Sequence, residues 1–419
     1  GLGASVANVS KAYFSANMFL NHAATNPVFS FLTSLGDHTD YAAEYPFFDE
    51  AGREKRFAHL RGNDPSAAAP ERVLTTSRPN VVVVILESFA RTVMDADVGG
   101  LPVMPNMQRL KGEGIWFENF FANSFRTDRG EVAILSGFPA QTRMSIMKLP
   151  AKSRNLPSLA RSLSGAGYAT GFSYGGDLNF TDQASYMYAT GWQQLTWQKD
   201  LRFDTPPADW GYDDAVMCDW FADRVIALSG KGEPFLAGML TLSSHRPFDV
   251  PFSKFDDKEL NAFAFSDECV GRMVDKLKAS PAWDNLLLVL VADHGYPWPR
   301  SLSYNEPLRH RIPMIWLGGA VAAPRVVDTY ASQIDICATI LGQLGIDHSD
   351  FDYSKDIFAP TPPRKFAYYT FNDGFGVVDA SGEAVWDATS GKAVSETAPG
   401  LLDIGRTMLQ TTYVDIGNR

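Results

Sequence analysis

Hydrophobic positions along this chain gather in short uninterrupted runs, with amphipathic segments between them. The two strongest runs are 81–86 (VVVVIL) and 286–292 (LLLVLVA). Runs of this length without an alternating polar residue are typical of strands buried on both faces of a parallel sheet. Both are far shorter than the ~20 residues that an apolar helix needs to span a bilayer. We therefore predict two interior strands of one sheet.

Further strands and helices alternate around these two runs. Short strands are predicted at 169–174, 235–242 and 313–317. Helices are predicted at 104–113, 156–165, 213–228, 263–279 and 332–344. Strands that alternate with helices through most of a chain are typical of a doubly wound, mainly parallel α/β sheet.

Both ends of the chain depart from this alternation. Residues 1–74 combine one or two predicted helices within 6–35 with a linker-like sequence at 63–70, which indicates a lead-in segment. Residues 365–394 are rich in Tyr, Phe, Val and Gly and contain turn dipeptides, which predicts an antiparallel meander before a closing helix at 401–412. We expect three units, namely a helical lead-in at 1–74, a main α/β domain at 75–360 and a small β-rich C-terminal subdomain at 361–419.

The charge balance limits the possible partners. The 419 residues include 48 Asp and Glu against 37 Lys and Arg, which gives a net charge of −11. Such an acidic chain disfavours a nucleic-acid partner, because phosphate backbones bind basic faces. An anionic substrate is still allowed, since a bound metal ion supplies positive charge locally. The three cysteines, Cys218, Cys269 and Cys337, are too few for a disulfide framework.

Three polar clusters directly follow predicted strands. Glu87 follows the first strong run, Asp293 and His294 follow the second, and a Ser-Ser-His sequence ending at His245 follows the strand at 235–242. Ligands of open α/β sheets bind at the carboxyl ends of the strands. Any one of these residues is equally consistent with a cap of a turn or helix. Two carboxylates and an imidazole together, however, make a site suited to Mn²⁺, Mg²⁺ or Zn²⁺.

A fourth element is the segment SFRTDRGEVAILSG at 124–137. Thr127 lies just before a predicted helix start at Asp128 or Arg129, where the helix dipole stabilises negative charge. A threonine hydroxyl is a poor nucleophile unless a metal or a base activates it. Thr127 is therefore either a nucleophile beside the metal cluster or simply the N-cap of the helix.

These segments follow one another in the order NVVVVILES, SFRTDRGEVAILSG, LSSHRPF, VADHG and RIPMIWLGG. In order and spacing they resemble the alkaline phosphatase/sulfatase superfamily, and within it the branch of lipoteichoic acid synthase-like phosphoglycerol transferases. The resemblance spans residues 79–344. It implies an alkaline phosphatase-like fold with a sulfatase-like catalytic domain, a helical lead-in that joins membrane helices to the enzyme, and a small β-rich C-terminal piece.

The resemblance also implies roles for individual residues. Glu87, Thr127, Asp293 and His294 would be ligands of one divalent ion, with Mn²⁺ favoured and Mg²⁺ or Zn²⁺ as alternatives. Thr127 would also be the nucleophile that forms a phospho-threonine intermediate. His245 would contact the transferred group or the leaving oxygen, and histidine is the usual proton donor near neutral pH.

The same comparison argues against sulfate ester chemistry. Sulfatases of the superfamily carry Cys or Ser at the position of Thr127 and oxidise it to formylglycine, which Thr cannot form. The chain also departs from the synthases after its Gly-Gly turn. Thr181 and Gln183 stand roughly where those enzymes have an aromatic residue and an arginine for the head group. A different head group is therefore allowed.

Six residues are candidates for substrate binding. Arg126 and Arg129 flank Thr127 and would hold phosphoryl oxygens, unless they are solvated loop charges. The others are Asp177 and Asn179, which equally suit a turn, and His310 and Arg311, which precede a predicted strand at the same sheet edge.

We therefore expect a metal-dependent, phosphoglycerol-type transferase that acts on a membrane phospholipid or an envelope glycan. The resemblance implies the extracytoplasmic face of a bacterial membrane. The start at Gly1, without an initiator Met, leaves room for anchoring helices upstream. The alternatives are a phosphomonoester or phosphodiester hydrolase of the same superfamily, a phosphoethanolamine transferase, and a non-catalytic envelope scaffold. Trp192, Trp197 and Trp210 either line a lipid-facing cleft or, as we favour, pack in the interior.

Overall fold

The computed structural model describes residues 39–419, so the predicted helices within 6–35 lie outside the described residues. The strands in chain order are β1 (Asn80–Leu86), β2 (Asp97–Val98), β3 (Leu101–Pro102), β4 (Ile115–Phe117), β5 (Phe120–Phe121), β6 (Ala169–Tyr174), β7 (Gln194–Trp197), β8 (Phe235–Leu240), β9 (Leu286–Ala292), β10 (Met314–Leu317), β11 (Arg325–Val327), β12 (Ala331–Ser332), β13 (Ala367–Phe371), β14 (Gly374–Asp379), β15 (Gly382–Asp387) and β16 (Lys392–Glu396).

The α-helices in chain order are α1 (Glu50–Ala58), α2 (Arg91–Met94), α3 (Pro105–Lys111), α4 (Thr127–Ser136), α5 (Pro150–Ser153), α6 (Leu159–Gly165), α7 (Gln183–Ala189), α8 (Asp214–Ser229), α9 (Lys258–Lys278), α10 (Pro307–His310), α11 (Ile336–Leu344) and α12 (Leu401–Asn418). Short 3-10 turns are formed by Tyr41–Ala43, Ile146–Lys148, Phe180–Asp182, Pro281–Asn285 and Gln333–Asp335.

The core of the fold is an eight-stranded sheet in the order β11-β4-β10-β9-β1-β8-β6-β7. The strands β9, β1, β8, β6 and β7 pair in parallel, whereas β10 is antiparallel to both β9 and β4. Every residue of β1 and β9 is buried, as the uninterrupted apolar runs predict. The doubly wound, mainly parallel α/β fold is thus confirmed.

The edge strands β7 and β11, and the short strand β4 beside β11, were not predicted. They contain three or four residues each, which is too short for a hydrophobic period to be detected. Their pairing partners come from distant parts of the chain, as when Arg325 of β11 lies opposite Ile115 of β4. Tertiary contacts therefore determine that these short segments form strands and which strands they pair with.

The two long helices α8 and α9 begin where aspartate side chains cap them. Asp213 accepts hydrogen bonds from the backbone N–H groups of the first turn of α8, and Asp257 does the same for α9. The cap at Asp257 starts α9 at Lys258, five residues before the predicted position, because an aspartate at this place satisfies two otherwise unpaired N–H groups. The two helices pack against each other.

The C-terminal meander and the closing helix are also confirmed. Strands β13 to β16 form a four-stranded antiparallel sheet in sequential order, and α12 packs against β14 and β15. The described part of the lead-in contacts α12 as well. Gln410 on α12 accepts a hydrogen bond from the backbone N–H of Phe48 at 3.0 Å, and the rings of Tyr45 and Tyr413 meet edge to face at 4.8 Å.

None of the helices within 39–419 is both long and apolar enough to cross a membrane.

The close approach of α4 to the end of β9 generates a stability prediction. A Cβ on Gly130 would lie 2.2 Å from the carbonyl oxygen of Asp293, whereas a Cβ on Gly165 would meet no heavy atom within 4 Å. We expect Gly130→Ala to lower the free energy of unfolding by about 2 kcal/mol or more, because backbone must move to relieve the overlap. The free energy is measured by urea denaturation.

The matched control is Gly165→Ala, at the end of α6. We expect it to be neutral or stabilising by up to about 1 kcal/mol, because alanine favours helix. Equal stabilities of the two variants would contradict the close approach.

Candidate active site

The register of two neighbouring strands places the first carboxylates. Leu86 lies opposite Ala292 in the β1–β9 pair, so Glu87 and Asp293 leave the sheet side by side at its carboxyl edge. The loop after β8 supports Glu87 from its other side. Thr241 Oγ1 accepts a hydrogen bond from the Glu87 backbone N–H at 2.8 Å, and Ser244 Oγ donates to the Glu87 carbonyl oxygen at 2.6 Å.

The predicted metal cluster is assembled within this edge. Glu87, Asp293 and His294 each offer a ligand atom, and these atoms all lie within 4.8 Å of one another. His294 Nε2 is 3.6 Å from Glu87 Oε1 and 3.3 Å from Asp293 Oδ2. His294 Nδ1 lies 2.7 Å from the carbonyl oxygen of Gly295, which places the proton on Nδ1 and leaves Nε2 for a cation.

Ser88 ties the two carboxylates together and was missed by the sequence analysis. Its Oγ donates to Glu87 Oε1 at 2.8 Å, and its backbone N–H donates to Asp293 Oδ1 at 2.8 Å. It has a φ of 59°, a conformation that costs about 1 kcal/mol or more for a residue other than glycine. The sequence signal that could have identified Ser88 is its position directly after Glu87, at the end of a predicted strand.

The charges of the cluster depend on one another. Burial opposes ionisation of Glu87, but the hydrogen bond and charge of His294 outweigh it and lower the pKa of Glu87 to about 2. Burial and the charge of Glu87 raise the pKa of Asp293 to about 7. Burial opposes protonation of His294, yet the two carboxylates raise its pKa to about 9.

A divalent cation fits this donor set. Asp293 Oδ2 is fully buried and has no hydrogen-bond partner among the described residues. Its nearest positive group is His294 Nε2 at 3.3 Å, and a cation bound between them would replace the charge of the histidine proton. Two carboxylates, one imidazole nitrogen and the nearby hydroxyl of Thr127 are hard and borderline ligands that suit Mn²⁺, Mg²⁺ or Zn²⁺.

Thr127 is the first residue of α4 rather than its N-cap. Arg126 occupies the N-cap position, and no side chain caps this helix. The hydroxyl of Thr127 instead donates to Glu87 Oε2 at 3.2 Å, so it faces the cluster from the positive end of the helix. The capping interpretation of Thr127 therefore does not apply.

The loop before Thr127 is held by the C-terminal sheet. Asn123 Nδ2 donates to the carbonyl oxygen of Tyr368 at 2.7 Å, and the Asn123 carbonyl oxygen accepts from Thr370 N at 2.9 Å. Ser124 Oγ donates to the Thr370 carbonyl oxygen at 3.1 Å. Strand β13 thus positions the nucleophile candidate.

Glu131, on the inner side of α4, is another residue that the sequence analysis missed. It is fully buried and neither carboxylate oxygen has a hydrogen-bond partner within the described residues. Burial and the nearby charge of Asp293 raise the pKa of Glu131 well above its ordinary value.

His245 lies on the opposite wall of the same cleft. It is half-buried, its Nδ1 is 2.7 Å from the carbonyl oxygen of Arg246, and its ring packs 4.9 Å from that of Trp210. Nδ1 therefore donates to the backbone, and Nε2 is available as the second ring nitrogen. Ser243 and Ser244 before it serve the fold through hydrogen bonds to Asp214 and Glu87.

The cleft has a volume of about 1090 Å³ and contains Glu87, Thr127, His245 and His294 in its wall. Its cationic side chains outnumber its acidic ones although the whole chain is acidic. The acidic residues are Glu87, Asp128, Asp177 and Asp209, and the Lys and Arg residues are Arg126, Arg129, Arg143, Lys148, Arg246 and Arg309.

The other predicted site residues divide into two groups. Arg126, Arg129 and Asp177 line the cleft, together with Thr181 and Gln183 from the segment after the Gly-Gly turn. Asn179, His310 and Arg311 are not among its lining residues.

His310 is buried and stacks on Tyr369 at 4.0 Å, and burial lowers its pKa to about 3. Arg311 donates to Glu118 and Asn119. The side chains of His310 and Arg311 therefore make contacts outside the cleft wall. The short helix α10 instead places Arg309, the residue before His310, in that wall.

The tryptophans divide similarly. Trp192 and Trp197 are buried, as favoured, whereas Trp210 is 43% exposed and lines the cleft beside His245.

The geometry agrees with known proteins. The Sulfatase family model matches residues 79–346, more than half of the chain. The chain belongs to the sulfatase family. This sulfatase-family chain is 26% identical over 347 residues to phosphoglycerol transferase I of Xanthomonas campestris pv. campestris, covering 74% of this chain and 47% of that protein. It is 28% identical over 317 residues to phosphoglycerol transferase I of Salmonella arizonae, covering 70% of this chain and 41% of that protein. It thus spans less than half the length of these relatives.

Solved structures show the same fold. The sulfatase-family chain matches a protein of the alkaline phosphatase superfamily from Vibrio parahaemolyticus with a TM-score of 0.77 and 23% identity, covering 90% of this chain and 98% of that one. It matches the lipoteichoic acid synthase LtaP from Listeria monocytogenes with a TM-score of 0.72 and 20% identity, covering 87% and 98%. The expected alkaline phosphatase-like fold is confirmed, and these names agree with the branch that the motifs indicated.

The pKa values of the cluster predict how metal binding depends on pH. His294 must lose its proton to bind a cation, and its raised pKa of about 9 keeps that proton in place at neutral pH. Near pH 8, above the pKa of Asp293 and below that of His294, we expect Mn²⁺ binding to release about one proton, so affinity rises about tenfold per pH unit there. Calorimetry in buffers of different ionisation enthalpy measures the released proton.

His348→Ala is the control, because this histidine lies outside the cleft wall and its loss is expected to leave the pH dependence unchanged. An Mn²⁺ affinity that is constant from pH 7 to 9 would contradict the cluster as the metal site.

Proposed function

We propose that this chain is a metal-dependent transferase that moves a phosphoglycerol group from a membrane phospholipid to an envelope glycan or lipid. In this proposal Thr127 carries the group as a phospho-threonine intermediate. The observation that carries the proposal is the hydroxyl of Thr127, which starts α4 and donates to Glu87 Oε2 at 3.2 Å beside Asp293 and His294. A hydroxyl so placed meets the requirements of an activated nucleophile.

The proposed cofactor is one divalent ion, with Mn²⁺ favoured, held by Glu87, Thr127, Asp293 and His294. When bound it supplies positive charge that lowers the pKa of the threonine hydroxyl and neutralises phosphoryl oxygens. The N-terminus of α4 adds the partial positive charge of its unpaired N–H groups.

The reaction proceeds in two balanced displacements. The Thr127 hydroxyl loses its proton to water, and its oxygen forms a bond to phosphorus while the bond from phosphorus to the diacylglycerol oxygen breaks. His245 Nε2 gives the leaving oxygen a proton. An acceptor hydroxyl then passes its proton to His245 and bonds to phosphorus, and the bond to Thr127 breaks. Thr127 finally regains a proton from water.

The cleft suits a lipid donor with an anionic head. The excess of Lys and Arg in its wall attracts a phosphodiester. Three of its aromatic side chains, Phe180, Trp210 and Tyr304, are exposed by 58%, 43% and 48%. Exposed aromatic rings at a cleft mouth suit acyl chains or sugar rings, which are the two non-phosphate parts of the proposed substrates.

The names of the matched proteins support the same class of reaction. Two relatives are called phosphoglycerol transferase I, and one structural neighbour is called a lipoteichoic acid synthase. We accordingly place this chain on the extracytoplasmic face of a bacterial membrane, with anchorage by helices upstream of residue 1. The proposal treats 75–360 as the catalytic domain, with 1–74 and 361–419 as its flanking units.

The nucleophile is tested by intact mass. After incubation with phosphatidylglycerol and Mn²⁺, we expect the parent to gain a phosphoglycerol group and Thr127→Ala to gain none, because the variant lacks the attacking oxygen. Thr389→Ala is the control, since Thr389 is an exposed threonine that lies outside the cleft wall.

The alternatives give different outcomes in this experiment. An adduct formed from phosphatidylethanolamine alone would indicate a phosphoethanolamine transferase. Release of glycerol phosphate with no acceptor present would indicate a hydrolase. An adduct on the Thr127→Ala variant would contradict the nucleophile, and unchanged lipid with no adduct on any variant would favour a scaffold.

A second variant tests the proton donor. We expect His245→Ala to slow consumption of phosphatidylglycerol by about 10²- to 10⁴-fold, because the leaving oxygen then departs without a proton. Binding of Mn²⁺ is expected to stay unchanged. His348→Ala serves as the control, since that histidine lies outside the cleft wall. Turnover that is unaffected by His245→Ala would remove this residue from the reaction.

A further inference from the structure

Two buried guanidinium groups in the cleft wall have no anionic partner. Arg129 is 5% exposed and Arg309 is 4% exposed, and Nε and Nη1 of each lack a hydrogen-bond partner. Neither side chain forms an ion pair with a carboxylate in residues 39–419. A buried charge without a partner is costly, and proteins usually retain one where a ligand supplies the opposite charge.

The two side chains are joined by a pair of aromatic rings. The guanidinium of Arg129 lies 4.9 Å from the ring centre of Phe125, and that of Arg309 lies 5.1 Å from the ring centre of Tyr304. The two rings are in contact, with centres 4.6 Å apart. Such packing holds both guanidinium planes in place and leaves Nε and Nη1 of each without a hydrogen-bond partner among the described residues.

Both guanidinium groups lie in the wall of the cleft that contains Glu87 and His294. Arg129 follows Thr127 by two positions on α4. Arg309 reaches the other side, because a Cβ on Gly295, the residue after His294, would lie 3.3 Å from Arg309 Nη1. The other arginines of the cleft differ in this respect. Arg126 is exposed, and Arg143 is exposed and paired with Asp373 at 2.8 Å.

We propose that Arg129 and Arg309 form one anion site that binds the non-bridging oxygens of a phosphoryl group. The planar, forked guanidinium matches the oxygens of a phosphate better than an ammonium does. Two such forks supply two positive charges, which balance the charge that develops on phosphorus during transfer. This site rests on the proposed function and extends it, because it adds Arg309 to the residues that bind the phosphoryl group of the same substrate.

The site is tested by binding of inorganic phosphate, without turnover. Calorimetry and thermal denaturation are carried out on the full chain, once without divalent ions and once with Mn²⁺. We expect Arg309→Gln and Arg129→Gln each to weaken phosphate binding about tenfold or more in both conditions, because each removes charge-assisted hydrogen bonds. Arg61→Gln is the matched control, because Arg61 lies outside the cleft wall and pairs with Asp352 at 3.2 Å, and we expect parent affinity from it.

Thermal denaturation without phosphate separates binding from packing. Because Arg309→Gln removes an unpaired buried charge, we expect its melting temperature without phosphate to equal or exceed that of the parent. We expect added phosphate to raise the melting temperature of the variant by less than it raises that of the parent. Arg309→Lys retains the charge but not the fork, so we expect intermediate affinity. Parent-like phosphate affinity in Arg309→Gln, or unfolding of both Arg309 variants, would overturn the proposal.

The two proposals can fail separately. Loss of phosphate binding in Arg309→Gln, with no adduct on the parent from any lipid, would support the anion site and contradict the transfer. An adduct on Thr127 with unchanged phosphate affinity in Arg309→Gln would support the transfer and contradict the anion site.

Discussion

The parallel pairing of β1 with β9 is the constraint on which the rest of the site depends. Because Leu86 and Ala292 are opposite each other, both strands end at the same level and Glu87 and Asp293 emerge as neighbours. A shift by one residue would turn these side chains to the other faces of the sheet. Fully buried apolar runs on both strands make such a shift costly, so the core of the protein also fixes the geometry of its proposed chemistry.

The cleft brings several buried charged side chains together around the metal cluster. Two carboxylates and an imidazole share the protons of the cluster, and Arg129 and Arg309 carry positive charge in the wall without carboxylate partners among the described residues. His294 partly neutralises the two carboxylates, whereas aromatic rings hold the two guanidinium groups without neutralising them. This arrangement suits a cation and an anionic substrate bound together, because a preorganised polar site reorganises little during reaction.

The flanking units support the catalytic edge from outside the main sheet. Strand β13 holds the loop that leads to Thr127 through Asn123, and α12 packs between the meander and the described lead-in. The segment after residue 38 and the last helix therefore belong to one packed body with the meander. Loss of the C-terminal sheet would release the loop that carries the nucleophile candidate, although no residue of that sheet belongs to the metal cluster.

The pattern of hydrophobic and polar residues along the chain determined the main strands, the fold class and most of the metal-site candidates. The apolar runs predicted β1 and β9, strand–helix alternation predicted the fold class, and polar residues after strands indicated Glu87, Asp293, His294 and His245. The sequence could not distinguish Arg309 from its neighbours His310 and Arg311, because only the turn of α10 decides which side chain enters the cleft. Likewise the pairing of short edge strands, the role of Ser88 and the burial of Arg129 arise from contacts between distant segments. Hydrophobic periodicity specifies elements along the chain, but tertiary packing alone decides which polar side chains share one cleft.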